Sequence, residues 1–373
     1  MGVLYNPTVQ VEQSAAPKYK QIYEAVKAGI SSGQYQQGQR LPSEAELGRQ
    51  YGASRLTVNR ALRELQLGGL IARRAGSGSY VSAAVERGYT FGLLIPELGQ
   101  TEIFEPICRG MAEVDLPEPH VLLWGKSPSH SHDLERHAYE SCAQWIAKKV
   151  SGVFFAPLEY TSQKDAINAR IIDMLAQAGI PAVLIDRDVV PYPQRSGHDV
   201  VGIDNRRAAH VLTRHLIDAG CRSLLFIGRP DAAPSCIARG RGFEDAVRDA
   251  GLPAVDVVHH VDPTDAAAVR AVLENRSADG IVCSNDFTAA HVMRALDGLG
   301  RRVPRDVRVA GFDDVKYASL LPVPLTTVQQ PCTQLGEVAI RAMADRLKDP
   351  TLPARDLILS FRLIIRESTL GGR

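Results

Sequence analysis

Long apolar runs are missing from this 373-residue sequence. None approaches the roughly 18 residues a membrane-spanning helix needs, so no such helix is expected. Paired cysteines are missing too. Cys108, Cys142, Cys221, Cys236, Cys283 and Cys332 stand singly, with no Cys-x-x-Cys spacing, which argues against dithiol redox and zinc-ribbon chemistry and reads as free thiols in a reducing compartment. Residues 1–17 have neither a basic start nor an apolar core, so they do not read as a signal peptide and the expected location is the cytoplasm. Also absent are a nucleophile elbow, a phosphate loop and a His-Glu-x-x-His helix, so no enzyme and no cofactor are expected. His130, His132 and His137 are the nearest approach to a metal cluster. They sit in a Ser-Pro-Ser-His-Ser-His stretch that reads as an exposed loop entering a helix, and no fourth ligand completes the set.

Net charge is nearly absent as well, at +1, but its distribution is uneven. Residues 14–82 hold ten Lys and Arg against four Glu, a formal +6, so the remainder carries −5. A small basic segment on a larger acidic one fits phosphate contact at one end only.

Within that basic segment, Ser43 followed by Glu46 is a capping box and opens a helix. Tyr51-Gly52-Ala53 breaks the helix, and Ser54 caps a second one whose Val58, Ala61, Leu62 and Leu65 share a face. Gly68-Gly69 stops it. Residues 70–74 and 79–81 read as two short strands around the turn Ala75-Gly76-Ser77-Gly78. An earlier helix opens at Pro17, with Tyr19, Ile22, Tyr23, Val26 and Ile30 on its apolar face. Two helices joined by a tight turn and followed by a basic hairpin make a winged helix-turn-helix, whose second helix fits the major groove of DNA. The expected organisation is a flexible arm at 1–16, a winged domain at 17–82, a linker at 83–88 and a body at 89–373.

From residue 89 short apolar runs alternate with amphipathic stretches up to residue 312. Strands are expected at 89–96, 121–124, 152–156, 182–186, 200–203, 224–228, 255–258, 280–283 and 307–312, with helices between them. Fully apolar strands alternating with helices imply parallel sheets covered on both faces. Roughly ten strands exceed one sheet, so two lobes with a cleft are expected, with ligands beyond the carboxyl ends of the strands.

Residues 17–82 resemble the GntR-type DNA-binding domain. Residues 89–369 resemble the effector domain of LacI/GalR-type repressors, a periplasmic-binding-protein-like fold. The segments that carry the second resemblance are Val201-Gly202-Ile203-Asp204-Asn205, Arg239-Gly240-Arg241-Gly242-Phe243, Cys283-Ser284-Asn285-Asp286, Val309-Ala310-Gly311-Phe312-Asp313-Asp314, residues 325–331 and Ile365-Arg366-Glu367-Ser368. The pairing is similar to the arabinose-responsive repressors. It implies an α+β winged domain followed by a two-lobed α/β domain, acting as a homodimeric repressor on double-stranded operator DNA and released by a small effector, a monosaccharide. Two alternatives stay open: a non-sugar effector or a co-repressor such as a purine, and a plain solute-binding protein.

On the recognition helix, Arg55 suits a guanine edge, and Asn59 either an adenine or a phosphate. Ser54 and Thr57 suit phosphate at the helix N-terminus. Arg60 and Arg63 either join them or pair with acids on the solvent face. Gly76 resembles the family's close-approach glycine, whereas Ala45 and Asn59 stand where the family often has Arg. In the body the resemblance points to Phe104, Asp186, Arg187, Arg239, Asn285, Asp313 and Gln330 as effector ligands. The alternatives are that Asp186 and Asp313 are instead caps and Arg187 and Arg239 surface ions, while Phe104 fits core and site equally. Asp204, Asn205 and Asp286 read as helix caps, and Ser235 as a weaker candidate ligand. The family's second stacking aromatic falls near Pro263, where this sequence has none.

Overall fold

The computed structural model describes residues 17–31, 34–36, 38–67, 70–74, 77–81, 88–95, 102–125, 134–255 and 257–371, with the backbone alone for Ser31, Leu67, Arg74 and Leu134. The arm at 1–16, Gly68-Gly69, Gly76, most of the linker, and His130 with His132 lie outside the described residues. The chain divides into two compact units, residues 1–88 with 117–119, and residues 89–116 with 120–373.

The first unit runs α1 (Lys18–Ser31), α2 (Glu44–Tyr51), α3 (Arg55–Leu67), β1 (Ile71–Arg74) and β2 (Gly78–Val81). The capping box forms: the Ser43 amide donates to Glu46 Oε2 at 2.7 Å, and the Glu46 amide to Ser43 Oγ at 3.3 Å. Such caps contribute about 1 kcal/mol each by satisfying amides the helix leaves free. Gly52 ends α2 in the left-handed region, at φ 56°, which a side chain would resist. Ile22, Val26, Leu47, Val58, Leu62 and Leu65 then bury together, so all three helices share one core. The strands β1 and β2 pair antiparallel, with Ile71 opposite Val81.

In the second unit one sheet takes β3 (Tyr89–Leu94), β4 (His120–Trp124), β5 (Gly152–Phe155), β6 (Ala182–Ile185), β7 (Asp199–Ile203) and β13 (Asp356–Leu359), in the order β13-β7-β6-β5-β3-β4. The other takes β8 (Leu224–Gly228), β9 (Val258–His260), β10 (Gly280–Cys283), β11 (Arg308–Phe312), β12 (Thr326–Gln329) and β14 (Arg362–Ile364), in the order β14-β12-β11-β10-β8-β9. Every pair is parallel except β12 with β14. All residues of β5, β6, β7, β8, β10 and β11 are buried, as covering on both faces requires. The covering helices are α4 (Phe104–Glu113), α5 (Leu134–Ala147), α6 (Lys164–Gln177) and α11 (Cys332–Lys348) on the first sheet. On the second they are α7 (Asn205–Asp218), α8 (Pro234–Asp249), α9 (Ala266–Asn275) and α10 (Asp286–Gly298). The chain passes from one sheet to the other three times, after β7, after β12 and between β13 and β14.

Two departures from the sequence reading have physical causes. The run expected as a strand at 255–258 pairs only from Val258, opposite Phe226, and Val255 is 85% exposed. This strand lies at the sheet edge, where an apolar residue can precede the first ladder bond without a neighbour. The strand–helix alternation also continues beyond residue 312, through β12, α11, β13 and β14. In β13 burial alternates residue by residue, so it lacks the solid apolar run that marks the central strands.

Two contacts pin the late elements. A Cβ on Gly336 would stand 2.0 Å from the Ile107 carbonyl oxygen, and one on Gly110 2.0 Å from that of Thr333, so α11 and α4 touch backbone to backbone. Asp199, at the start of β7, is 1% exposed. It accepts from Arg346 of α11 at 2.9 Å and from Arg355, just before β13, at 3.1 Å. Burial alone would raise its carboxyl, but the bonds from Arg355 and Arg346 outweigh it and hold the group below the ordinary carboxylate range. Asp199→Asn is therefore expected to destabilise the protein by about 3 kcal/mol at neutral pH, because Arg346 loses its counter-charge and Arg355 keeps only the exposed Asp345. The measurement is a urea midpoint as a function of pH. A depressed folded value means the contribution is present above the unfolded value of about 4 and fades as pH falls through the folded one, so the two proteins should converge in acid.

Candidate functional site

Where the strands of both sheets end, their loops enclose a cavity of about 510 Å³. One wall comes from the first sheet: Glu159 and Tyr160 after β5, and Asp186 and Arg187 after β6. The opposite wall comes from the second: Arg229 after β8, Ser235 and Arg239 on α8, Asn285 after β10 and Asp313 after β11. Every wall residue lies beyond the carboxyl end of a strand or on the helix that follows, as open α/β sheets dictate.

Asp186 adopts φ 70° and Asp313 φ 105°, conformations a non-glycine residue keeps only when its surroundings enforce them. Asp186 is buried, and its Oδ2 accepts from Arg187 Nη1 and Ser235 Oγ, each at 3.0 Å. Its Oδ1 is buried and has no hydrogen-bond partner among the described residues. Arg187 also donates through Nε to the Pro157 carbonyl at 2.8 Å and lies 3.1 Å from Glu159. Burial works against the Arg187 charge, but Glu159 and Asp186 more than compensate and raise its pKa. Arg239 donates to Asn205 at 2.8 Å and to the Ser284 carbonyl at 2.6 Å, stacks on Phe312, and reaches Asp313 at 3.5 Å. Asp313 Oδ1 further accepts from Gln330 at 2.8 Å, and burial pushes its carboxyl upward against the pull of Arg239. Chemically, the cavity offers carboxylate oxygens to donors, with Arg187 and Arg239 already committed to holding those carboxylates in place.

The expected residues thus separate by role. Asp186, Arg187, Arg239 and Asp313 meet in the cavity, and neither arginine is a surface ion. Phe104 lines the cavity while packing into the core beneath it. Asn285 lines the cavity too, but its Oδ1 caps α10 by accepting from the Thr288 amide at 2.9 Å. Gln330 stands behind Asp313 rather than in the lining. Of the residues read as caps, Asp204 caps α7, Asn205 holds Arg239, and Asp286 is fully buried, accepting from Thr327 and the Val315 amide. The ring surface missing near Pro263 has a counterpart in Phe287 and Tyr317, which both line the cavity. Glu159, Tyr160 and Arg229 escaped the sequence reading; Arg229 directly follows β8, whereas Glu159 and Tyr160 lie four and five residues beyond β5.

On the first unit, Ser54 Oγ accepts from the Thr57 amide at 3.3 Å and meets Thr57 Oγ1 at 2.9 Å, so both hydroxyls stand at the start of α3. The Arg55 side chain is 88% exposed and touches Glu44 through Nε at 3.1 Å. Asn59 is half-buried between Glu44 and Arg73, each at 3.4 Å. Arg60 lies over the Tyr19 ring at 3.8 Å and pairs with Glu64 at 3.3 Å, a contact within the head. Gly76 lies outside the described residues. Arg73, on β1, was not singled out from the sequence.

Residues 18–81 match the model of bacterial regulatory proteins of the gntR family, and residues 213–369 that of the periplasmic binding protein-like domain. The HTH-type transcriptional regulator CelR of Thermobifida fusca is 30% identical over 329 residues, covering 85% of this chain and 89% of that one. The arabinose metabolism transcriptional repressor of Geobacillus stearothermophilus is 27% identical over 375 residues, covering 96% of this chain and 99% of that one. The chain belongs to the bacterial transcriptional regulators with a GntR-type head and a LacI-type body. Its fold agrees with a solved CelR–cellobiose complex, which superposes with a TM-score of 0.64 at 24% identity over 88% of this chain and 100% of that one. The regulator is a DNA-binding protein and not an enzyme. Among the described residues, no helix is long and apolar enough to cross a membrane.

Opposite walls of the regulator's cavity also touch each other. The Tyr160 amide donates to the Asp231 carbonyl at 2.8 Å, the Ala233 amide to Glu159 at 3.3 Å, and the Arg229 guanidinium lies 3.7 Å above the Tyr160 ring. A stacked cation of this kind contributes about 1 kcal/mol. Arg229→Ala is therefore expected to raise hydrogen exchange at the Tyr160 and Ala233 amides about fivefold, read by mass spectrometry, while amides within β5 and β8 keep their rates. Unchanged exchange at both amides would show that the stack does not hold the walls together.

Proposed function

We propose that this regulator is a cytoplasmic repressor that binds a near-palindromic operator as a homodimer and releases it when a small neutral sugar occupies the body cavity. Residues 17–82 form the DNA-binding head and residues 89–373 the effector-binding and dimerising body, joined by a linker at 83–88. Ser54, Arg55, Thr57, Asn59, Arg60 and Gly76 serve DNA contact. Phe104, Asp186, Arg187, Arg239, Asn285 and Asp313 serve the effector, with Gln330 orienting Asp313. A dimer brings two winged heads to two half-sites.

The observation that carries this reading is the orphaned Asp186 Oδ1, buried on the cavity wall. A buried carboxylate oxygen with no donor among the described residues is costly, and a ligand hydroxyl would supply one. Ring faces from Tyr317 and Phe287 suit the C–H surface of the same molecule. Its charge class follows from the neighbours: four carboxylates, Glu102, Glu159, Asp186 and Asp313, line the cavity against three arginines, of which Arg187 and Arg239 already serve carboxylates and Arg229 lies over the Tyr160 ring. An anionic ligand would meet repulsion, so a neutral polyol is favoured over a sugar phosphate. Relatives named for arabinose and solved with cellobiose support the same class.

The test is a thermal-shift panel of pentoses, hexoses and disaccharides beside their phosphates, followed by operator gel shifts. A neutral sugar should raise the melting temperature and release DNA. Asp186→Asn should weaken the response about ten- to a hundredfold, with operator affinity in the absence of sugar retained. Stabilisation by phosphorylated or acidic compounds alone would overturn the assignment.

A further inference from the structure

Glu44 sits in a concave patch of the head whose lining includes Arg40, Arg49, Arg55 and Arg73. Its carboxylate serves three side chains that arrive from two different elements. Oε2 accepts from Arg55 Nε at 3.1 Å on α3, and Oε1 accepts from Asn59 at 3.4 Å on α3 and from Arg73 Nη2 at 2.6 Å on β1. Arg73 also donates to Asn59 Oδ1 at 3.4 Å, so both ends of the Asn59 amide are engaged and its orientation is set. The hydrogen bond from Arg55 is made through Nε, which leaves the two terminal Nη groups, the fork that matches a guanine edge, without a bond to the carboxylate. The Arg73 pair ties α2 to β1, but a pair as exposed as that of Arg55 adds little to stability, so holding the fold together does not account for the contact with Arg55.

We propose that Glu44 is the positioning residue for sequence discrimination by this head: one carboxylate aims Arg55 and Asn59 and keeps Arg73 from pairing indiscriminately with phosphate. A negative charge beside the DNA weakens binding to any sequence. It is compensated only where Arg55, already oriented, finds its base. Removing Glu44 should therefore strengthen binding to unrelated DNA while weakening the preference for the operator. That combination is not expected from simple damage to the domain.

This inference rests on Arg55 reading a base, so the experiment includes Arg55→Ala. Full-length wild type, Glu44→Ala, Glu44→Gln and Arg55→Ala are titrated by fluorescence anisotropy against two duplexes over a range of salt. One duplex is selected from a randomised pool by the wild-type protein, and the other is the same composition shuffled. For Glu44→Ala we expect severalfold tighter binding to the shuffled duplex and a selected-to-shuffled ratio lowered about tenfold or more. Its salt dependence should be steeper by about one to two released counterions. Glu44→Gln loses the charge but keeps an acceptor, so it should match the salt slope of Glu44→Ala while retaining part of the discrimination. It carries the test if Glu44→Ala melts early.

A ratio within about twofold of wild type in Glu44→Gln, with an unchanged salt slope, would overturn the proposal. So would a loss confined to one C·G pair with no gain on shuffled DNA, since Glu44 would then be a direct cytosine contact. If Arg55→Ala keeps full discrimination, the Arg55 assignment itself is wrong. If Arg55→Ala loses discrimination and both Glu44 variants keep it, only the role of Glu44 fails.

Discussion

A carboxylate can be taken out of water only in the company of donors, and much of this structure is arranged around that requirement. Arg187 reaches Asp186 and Glu159 from one side of the cavity. Arg239 reaches Asp313 on the other, and is itself kept in place by Asn205 and the Ser284 carbonyl. Asp199 gathers Arg346 and Arg355 at the far end of β7. Each cluster joins elements distant in sequence, so the charges fix where strand ends and helix starts meet, after apolar burial has brought them close. The left-handed backbones at Asp186 and Asp313 persist because those partners over-determine the side chains.

Much of the architecture was legible because central parallel strands are buried on both faces and so appear as unbroken apolar runs. The runs at β5, β6, β8 and β10 are of this kind. Legibility fell where burial was one-sided. The alternating strand β13 has no such run, and the edge strand β9 was shifted because an exposed valine precedes its first ladder bond.

The cavity was partly legible for a related reason. The residues directly after β6 and β11, Asp186, Arg187 and Asp313, follow from the strand-end rule together with family resemblance. Glu159 and Tyr160 stand four and five residues beyond β5, and their inward position depends on a loop path that no periodicity encodes. Nor does residue type separate a ligand contact from a support. Asn205 and Asn285 look alike in sequence, yet one holds an arginine and the other caps a helix. On the head the same ambiguity concerns arginines. Arg60 folds back onto Tyr19, whereas Arg55, five residues earlier on α3, projects into solvent.

The three passages between the sheets have a mechanical consequence. They leave from β7 and β13, neighbours at one border of the first sheet, and from β12, beside β14 at one border of the second. All the covalent linkage between the lobes is therefore gathered along a single seam, and away from it the lobes meet through noncovalent contacts such as those of Tyr160 with Asp231 and Ser235 with Asp186. A body joined this way behaves as a hinge with essentially one axis, and its conformation reduces to one opening angle. Chemically different molecules can then act on such a body in only two senses, widening that angle or narrowing it.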